Sequence, residues 1–171
     1  MTELPVLKSL RCVLSCITEE DIPVLRQIFD DGLTRKYLSE LWTLVETDEG
    51  IRQMLSSFNI LMKKNEGLIW GARLNGKLIA FVAVMDLSCN PTIIYAMHPV
   101  YRFKGYMKEC VAIVMDYLQD TGLCRTIQTE VYPDNCISQK ILKDVGFIPL
   151  MLGGQKYHFM YSFKNSSNSN H

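Results

Sequence analysis

The sequence predicts a single α/β domain built on a mixed, mostly antiparallel sheet of about seven strands flanked by about four helices. Three observations carry that expectation. The chain has 171 residues, 48% apolar and 21% charged, enough for one substantial core and too few for two. Its apolar residues recur at three-and-four spacing through much of the first half and alternate from Leu68 onward, so helical and extended periods coexist. Turn and cap residues separate these stretches: Asp31-Gly32, Asn75-Gly76, Thr121-Gly122 and Gly146.

Taken in order, residues 10–17 read as a strand with Leu10, Cys12, Leu14 and Cys16 on one face. Thr18 is placed as an N-cap, with Asp21 completing a capping box. The helix it opens carries the stripe Ile22, Leu25, Ile28 and Phe29 and stops at Asp31-Gly32. A shorter helix follows over 35–42. Thr47 caps a longer one whose Ile51, Met54, Leu55, Phe58, Leu61 and Met62 share a face, ending at Asn65-Glu66-Gly67.

Residues 68–74 and 77–87 form a hairpin, because Asn75-Gly76 accepts the positive φ of a two-residue type I′ turn. Strand 92–98 runs into Pro99. The helix that starts near Gly105 sets Met107, Val111, Val114, Met115 and Leu118 inward and ends at Thr121-Gly122. Strand 126–132 leads to helix 136–145, with Gly146 in the C-terminal position that tolerates a left-handed residue. Strands 147–152 and 156–163 flank Gly153-Gly154. The domain is expected over 1–164, with 165–171 a disordered tail too polar to bury anything.

Composition excludes several function classes. Lysine plus arginine and aspartate plus glutamate both number 18, so the whole chain lacks the positive field that draws a protein onto nucleic acid or an anionic membrane. No apolar run reaches the roughly 18–20 residues of a spanning helix, and the N-terminus lacks a basic segment followed by an apolar one; a soluble, unsecreted protein is expected. The six cysteines form no C-x-x-C pair and have no histidine at metal-ligand spacing, so they are read as reduced thiols, with no metal site and with Cys12 and Cys16 as buried packing. No G-x-G-x-x-G follows a strand, which sets aside a dinucleotide-binding domain.

The chemistry concentrates in Tyr95-Ala96-Met97-His98-Pro99-Val100-Tyr101-Arg102-Phe103-Lys104-Gly105-Tyr106-Met107. A strand here enters a glycine-containing turn and then a helix, whose first N–H groups lack intrahelical partners and suit a phosphate. Arg102, Lys104 and Lys108 add positive charge, and Gly105 lets a ligand approach the backbone.

This stretch resembles the acyl-CoA-binding motif of the GNAT superfamily, Q/R-x-x-G-x-G/A, with Arg102 first, Gly105 at the glycine and Met107 where glycine or alanine is usual. It is more similar still to the H-P-x-Y-R-G-K-G-Y-M/A wording of the subgroup that looks like Rim-type N-terminal acetyltransferases of ribosomal proteins; Phe103 stands where that subgroup has glycine. Asn135, Ser138 and Gly146-Phe147 resemble the subgroup's N-x-x-S-x-x-x-L-x-x-x-G-F. The resemblance covers residues 10–150.

It implies a cytoplasmic GNAT-fold enzyme with acetyl-CoA as co-substrate, its pantetheine lying where strand 92–98 parts from strand 126–132. Backbone groups of Tyr95, Ala96 and Met97 would pair with the pantetheine amides. The turn Arg102, Phe103, Lys104, Gly105, Tyr106, Met107 and Lys108 would take the pyrophosphate, and Asn135 and Ser138 would approach the pantetheine and its sulfur. Ser138 is the candidate acid for the departing thiolate, since relatives with a tyrosine acid carry it at the position of Leu142; its structural alternative is a helix-capping serine. Glu130 is the candidate base, acting through water, with an exposed strand carboxylate as its structural alternative. Tyr95 and Tyr132 would shape the cleft, with strand packing as their structural alternative; His98, before a proline, is read as structural and Asp86, at the end of the hairpin strand, as a turn residue.

The acceptor is expected to be a primary amine, either a protein N-terminus or a small molecule, held by the first two helices and the segment 33–47. About a tenth to a fifth of an α-amino group is neutral at pH 7, against on the order of one in a few thousand for lysine, so a terminal amine asks less of a base. A homodimer is a permitted assembly. The competing expectation is an acyl-CoA-binding regulatory or scaffold module without transfer.

Overall fold

The computed structural model describes residues 3–151 and 154–164. The expected tail 165–171, and residues 152–153 of the last turn, lie outside the described residues. An eight-stranded open sheet has the order β1-β2-β3-β4-β5-β6-β8-β7. Its strands are β1 (Leu7–Lys8), β2 (Val13–Ser15), β3 (Gly67–Leu74), β4 (Lys77–Met85), β5 (Thr92–Met97), β6 (Thr126–Val131), β7 (Ile148–Met151) and β8 (Tyr157–Ser162). The helices are α1 (Ile22–Asp30), α2 (Gly32–Tyr37), α3 (Ser39–Trp42), α4 (Asp48–Lys63), α5 (Tyr106–Thr121) and α6 (Cys136–Val145).

The expected first strand is in fact a hairpin of two short ones. Ser9 donates its N–H to the Cys12 carbonyl at 2.9 Å and accepts the Cys12 N–H on its hydroxyl at 3.0 Å, closing a turn that leaves Leu10 91% exposed. Cys12 and Leu14 face the core as expected, but Cys16 lies past the strand and is exposed. The expected helix 35–42 begins earlier and divides. Asp31 both stops α1 and caps α2, accepting the Thr34 N–H at 3.1 Å, and Leu38 at φ −118°, ψ 41° breaks the segment into α2 and α3.

Other signals stand where the sequence puts them. Thr18 donates its N–H to Asp21 at 2.8 Å, although the capped turn is a short 3-10 helix, Glu19–Asp21, that precedes α1. Thr47 caps α4 through the Gly50 N–H at 3.1 Å, and Asn75 and Gly76 take φ 49° and 79° in the β3–β4 turn. Asp86, expected in a turn, has φ 55° there.

The core lies on both faces of β4. Ala80, Val82 and Val84 pack with the α5 side chains Val111, Val114 and Leu118, whereas Phe81 and Ala83 pack with Leu25 and Phe29 of α1 and Phe58 of α4. This is the alternation of a strand buried on both sides. All of Leu78–Val84 is buried, which is why β4 reads as an unbroken apolar run.

Candidate active site

β5 and β6 run parallel and meet at one ladder pair, Thr92 with Gln128, reinforced by the Gln128 N–H to the Pro91 carbonyl at 2.8 Å. Toward their C-terminal ends the strands part, because β5 continues into a turn that packs on α2 while β6 stays paired with β8 from Thr126 to Val131. A cleft of about 450 Å³ opens between them. Backbone groups on facing strand edges are thereby freed from ladder pairing and face a ligand-sized space.

Of the residues expected to hold the coenzyme, Tyr95, Ala96, Met97, Arg102, Phe103, Gly105, Tyr106, Met107, Lys108 and Asn135 line this one cleft, together with Glu130 and Ser138. Lys104 does not; its carbonyl accepts from Arg11 Nη2 at 2.9 Å and its ammonium lies 3.4 Å from the Val100 carbonyl. The turn is pinned from below. His98 accepts the Val100 N–H at 3.3 Å and its Nε2 meets Gln27 Oε1 at 2.9 Å, a structural role as expected.

Arg102 Nη2 donates to Asp31 at 2.6 Å, to the Met97 carbonyl at 3.1 Å and to the Thr34 hydroxyl at 3.3 Å, so this guanidinium ties the turn to the start of α2. Burial alone would push the Asp31 carboxyl up, but the Arg102 bond and charge and the Thr34 N–H outweigh it and hold it below its ordinary value. Lys108 lies 3.5 Å from Asp144, and Arg11 contacts Glu109 at 2.5 Å while stacking 4.3 Å from the Tyr106 ring centre. Arg102 and Arg11 thus each have a carboxylate, Lys108 shares Asp144 with Lys140, and Lys104 lies against a carbonyl, so lysine charge adds to the unpaired first-turn N–H groups of α5 in favouring an anion.

Gly105 has φ 83°, and a Cβ there would sit 3.2 Å from Arg11 Nη2. Phe103 takes φ 64° with its ring 81% exposed, so the turn needs a left-handed residue where this chain has phenylalanine.

At the inner end of the cleft, the Tyr95 hydroxyl and Ser138 Oγ lie 2.6 Å apart. Asn135 caps α6 by accepting the Ser138 N–H at 3.2 Å, which leaves the serine hydroxyl to Tyr95. Burial pushes the Tyr95 phenol well up, so it stays protonated throughout the neutral range. Leu142, where relatives carry tyrosine, is buried in the core.

Glu130 Oε1 lies 2.8 Å from His158 Nε2 and its Oε2 3.8 Å from Lys156, which also reaches Glu40 at 3.5 Å. Sequence reasoning missed His158, Lys156, Arg11 and the Tyr95–Ser138 bond. Only strand register could have found His158, which stands opposite Glu130 across the β6–β8 pair. The segment 33–47 does approach the site: Tyr37 packs 6.0 Å from the Tyr132 ring, and Lys36 forms an ion pair with Asp134 across the cleft mouth. Behind this segment lies a second cleft of about 690 Å³, and Tyr37, Leu38, Ile94, Thr129 and Glu130 line both spaces.

A split sheet, a helix N-terminus at its open end and a hydroxyl pair at its inner end define an acyltransferase that works on a thioester. The chain belongs to the family described as the acetyltransferase (GNAT) domain, which matches residues 11–148, and it is an enzyme of acetyl transfer. No curated protein matches it in sequence.

Among solved structures, RimL, a ribosomal-protein alpha-N-acetyltransferase in complex with coenzyme A, is 15% identical with a TM-score of 0.78, covering 93% of this chain and 98% of that one. RimJ of Mycobacterium smegmatis in complex with a CoA disulfide is 16% identical, TM-score 0.74, covering 91% and 85%. A microcin self-immunity acetyltransferase, MccE, in complex with acetyl-CoA and AMP is 13% identical, TM-score 0.71, covering 90% and 93%. At these identities the likeness is one of fold. Among the described residues no helix is long and apolar enough to cross a membrane, and no group of three or more histidine, cysteine, aspartate or glutamate side chains is arranged to hold a metal ion.

Proposed function

We propose that this enzyme moves the acetyl group of acetyl-CoA onto a primary amine by direct attack in a ternary complex. The observation that carries the reading is that two clefts share Ile94, Thr129 and Glu130 in their linings, one reaching the turn 102–108 and the Tyr95–Ser138 pair, the other lying behind α2 and α3. The turn 102–108 and the first N–H groups of α5 take the pyrophosphate, and the freed edge of β5 at Tyr95, Ala96 and Met97 pairs with the pantetheine amides, one N–H polarising the thioester carbonyl. Arg102 acts by holding the turn, given its bond to Asp31.

Glu130 receives the amine proton through water, oriented by His158. The neutral amine attacks the thioester carbon, the C–S bond breaks, and Ser138 gives its hydroxyl proton to the leaving thiolate and takes one back from solvent water, while the Tyr95 hydroxyl holds Ser138 Oγ in place. Burial raises the Tyr95 phenol, so it stays neutral and serves as a hydrogen-bond partner that positions Ser138 and not as a proton source. Six free cysteines, three of them exposed, suit a reducing compartment, in keeping with a cytoplasmic enzyme.

The test combines calorimetric titration of acetyl-CoA with direct detection of acetylated product. Wild type is expected to bind one coenzyme per chain, and Gly105→Val to bind at least about tenfold more weakly, since a β-branched residue cannot take φ 83° without strain. Ser138→Ala and Tyr95→Phe are expected to keep that affinity and lower turnover on the order of a hundredfold. Binding with no transfer to any amine would favour a coenzyme-binding module instead.

A further inference from the structure

We infer that the second cleft selects a small primary amine carried on an apolar body, a hydrocarbon chain or ring, in preference to a polyamine, a nucleotide or a polar peptide N-terminus. The inference rests on the acetyl-transfer reading above and adds the chemical class of its acceptor. The cleft shares Ile94, Thr129 and Glu130 with the coenzyme site, so an amine reaching Glu130 from this side stands at a wall common to both spaces.

Its walls are apolar where the body of that amine would lie. Met54, Phe58 and Leu61 come from one face of α4, Leu41 from α3 and Met85 from the end of β4. Ser57 and Gln53 of α4 and Ser39 of α3 edge this wall, and the other uncharged polar groups lie at the far end. Asn90, Thr92 and Gln128 sit where β5 and β6 join, and Gln128 donates to Asn90 there. Among the described lining residues the only carboxylates are Glu40 and Glu130, and both reach Lys156.

This charge pattern separates the acceptor classes. Two carboxylates against Lys156, with His158 also beside Glu130, leave at most one net negative charge, which suits one ammonium and is too little for the several cations of a polyamine. Lys156 is the only cation lining the cleft among the described residues, and its two carboxylate neighbours disfavour a phosphate or a second carboxylate. An alkyl or aryl body against Phe58, Met54 and Leu61 gains the burial free energy that a hydrated body would not.

The experiment measures kcat/KM by mass-spectrometric detection of product for ethylamine, hexylamine, spermidine and a short peptide beginning with serine, at saturating acetyl-CoA. Hexylamine is expected to exceed ethylamine by about tenfold or more, because each buried methylene contributes a factor of roughly two to four, and to exceed the other two acceptors. Ser57→Trp, on the exposed side of α4 at the cleft wall, is expected to bring hexylamine down toward ethylamine while acetyl-CoA affinity stays within about twofold; Gln53→Trp serves the same purpose if that variant does not fold. Equal rates for the two alkylamines, or a preference for spermidine or the peptide, would overturn the inference and leave acetyl transfer standing. No product from any of the four, with acetyl-CoA still bound, would overturn acetyl transfer and this inference with it.

Discussion

At the scale of single residues, Phe103 separates stability from binding. A non-glycine residue in the left-handed region costs about 1–2 kcal/mol, and the exposed Phe103 ring recovers little of that from packing. Phe103→Gly is therefore expected to raise stability to denaturant by about 1 kcal/mol while lowering acetyl-CoA affinity, if the ring covers the coenzyme at the cleft mouth. Higher stability with unchanged affinity would show the ring to be a bystander. The sequence marked this position by its departure from a glycine pattern. It could not mark the Tyr95 hydroxyl, since a tyrosine on a strand is usually packing, and its meeting with Ser138 depends on how β5 and α6 approach one another.

At the scale of elements, legibility followed cooperativity along the chain. Long helices with stripes and caps, α4 and α5, and the β3–β4 hairpin were readable because periodicity and turn chemistry agree there. The segment 32–42 was not, because one aspartate ends α1 and caps α2, and only the tertiary bond from Arg102 shows why it turns there. A comparable tertiary anchor holds the start of α1. Arg73 from β3 makes two bonds to Asp21, at 2.7 and 2.9 Å, where the carboxylate is only 9% exposed. Burial alone would raise the Asp21 carboxyl, but Arg73 and the Thr18 N–H together depress it.

The sign of the pH effect follows. A carboxyl depressed in the folded state contributes its full stabilisation above the unfolded value near 3.9, and loses it as pH falls through the folded value. Asp21→Asn is expected to cost about 3 kcal/mol at pH 7, from the guanidinium left without its partner, and to flatten the decline in stability between about pH 5 and pH 2. Urea titrations across that range check both parts. An acid limb as steep as that of wild type would assign the decline to Asp31 and Glu109, whose carboxyls are also depressed.

At the scale of the whole molecule, the sheet is two parts joined at Thr92 and Gln128, with the coenzyme cleft filling the place of the missing ladder. A ligand that binds only the folded state at about a hundred times its Kd adds about 2.7 kcal/mol, which for a chain of this size is a rise in Tm of about 5–10 °C. Acetyl-CoA is expected to produce that rise in wild type and to lose most of it in Gly105→Val; no rise at saturating coenzyme would count against the cleft as its site. The split was inferred from family resemblance; the sequence pointed to the segment 33–47 as an acceptor wall, and residues 37–41 and Leu44 do line the second cleft, but its other walls were not legible. Its walls come from α3, α4, β4, β5 and β6, and no local pattern announces that such distant side chains enclose a space.

The strip formed by α2 and α3 is anchored across the mouth by Lys36 and Asp134, and Tyr37 and Leu38 contribute to the spaces on either side of it. It stands between the two spaces, with Glu130 in the lining of both. A wall shared by two spaces ties their shapes together, so a shift of Tyr37 or Leu38 toward one cleft enlarges the other.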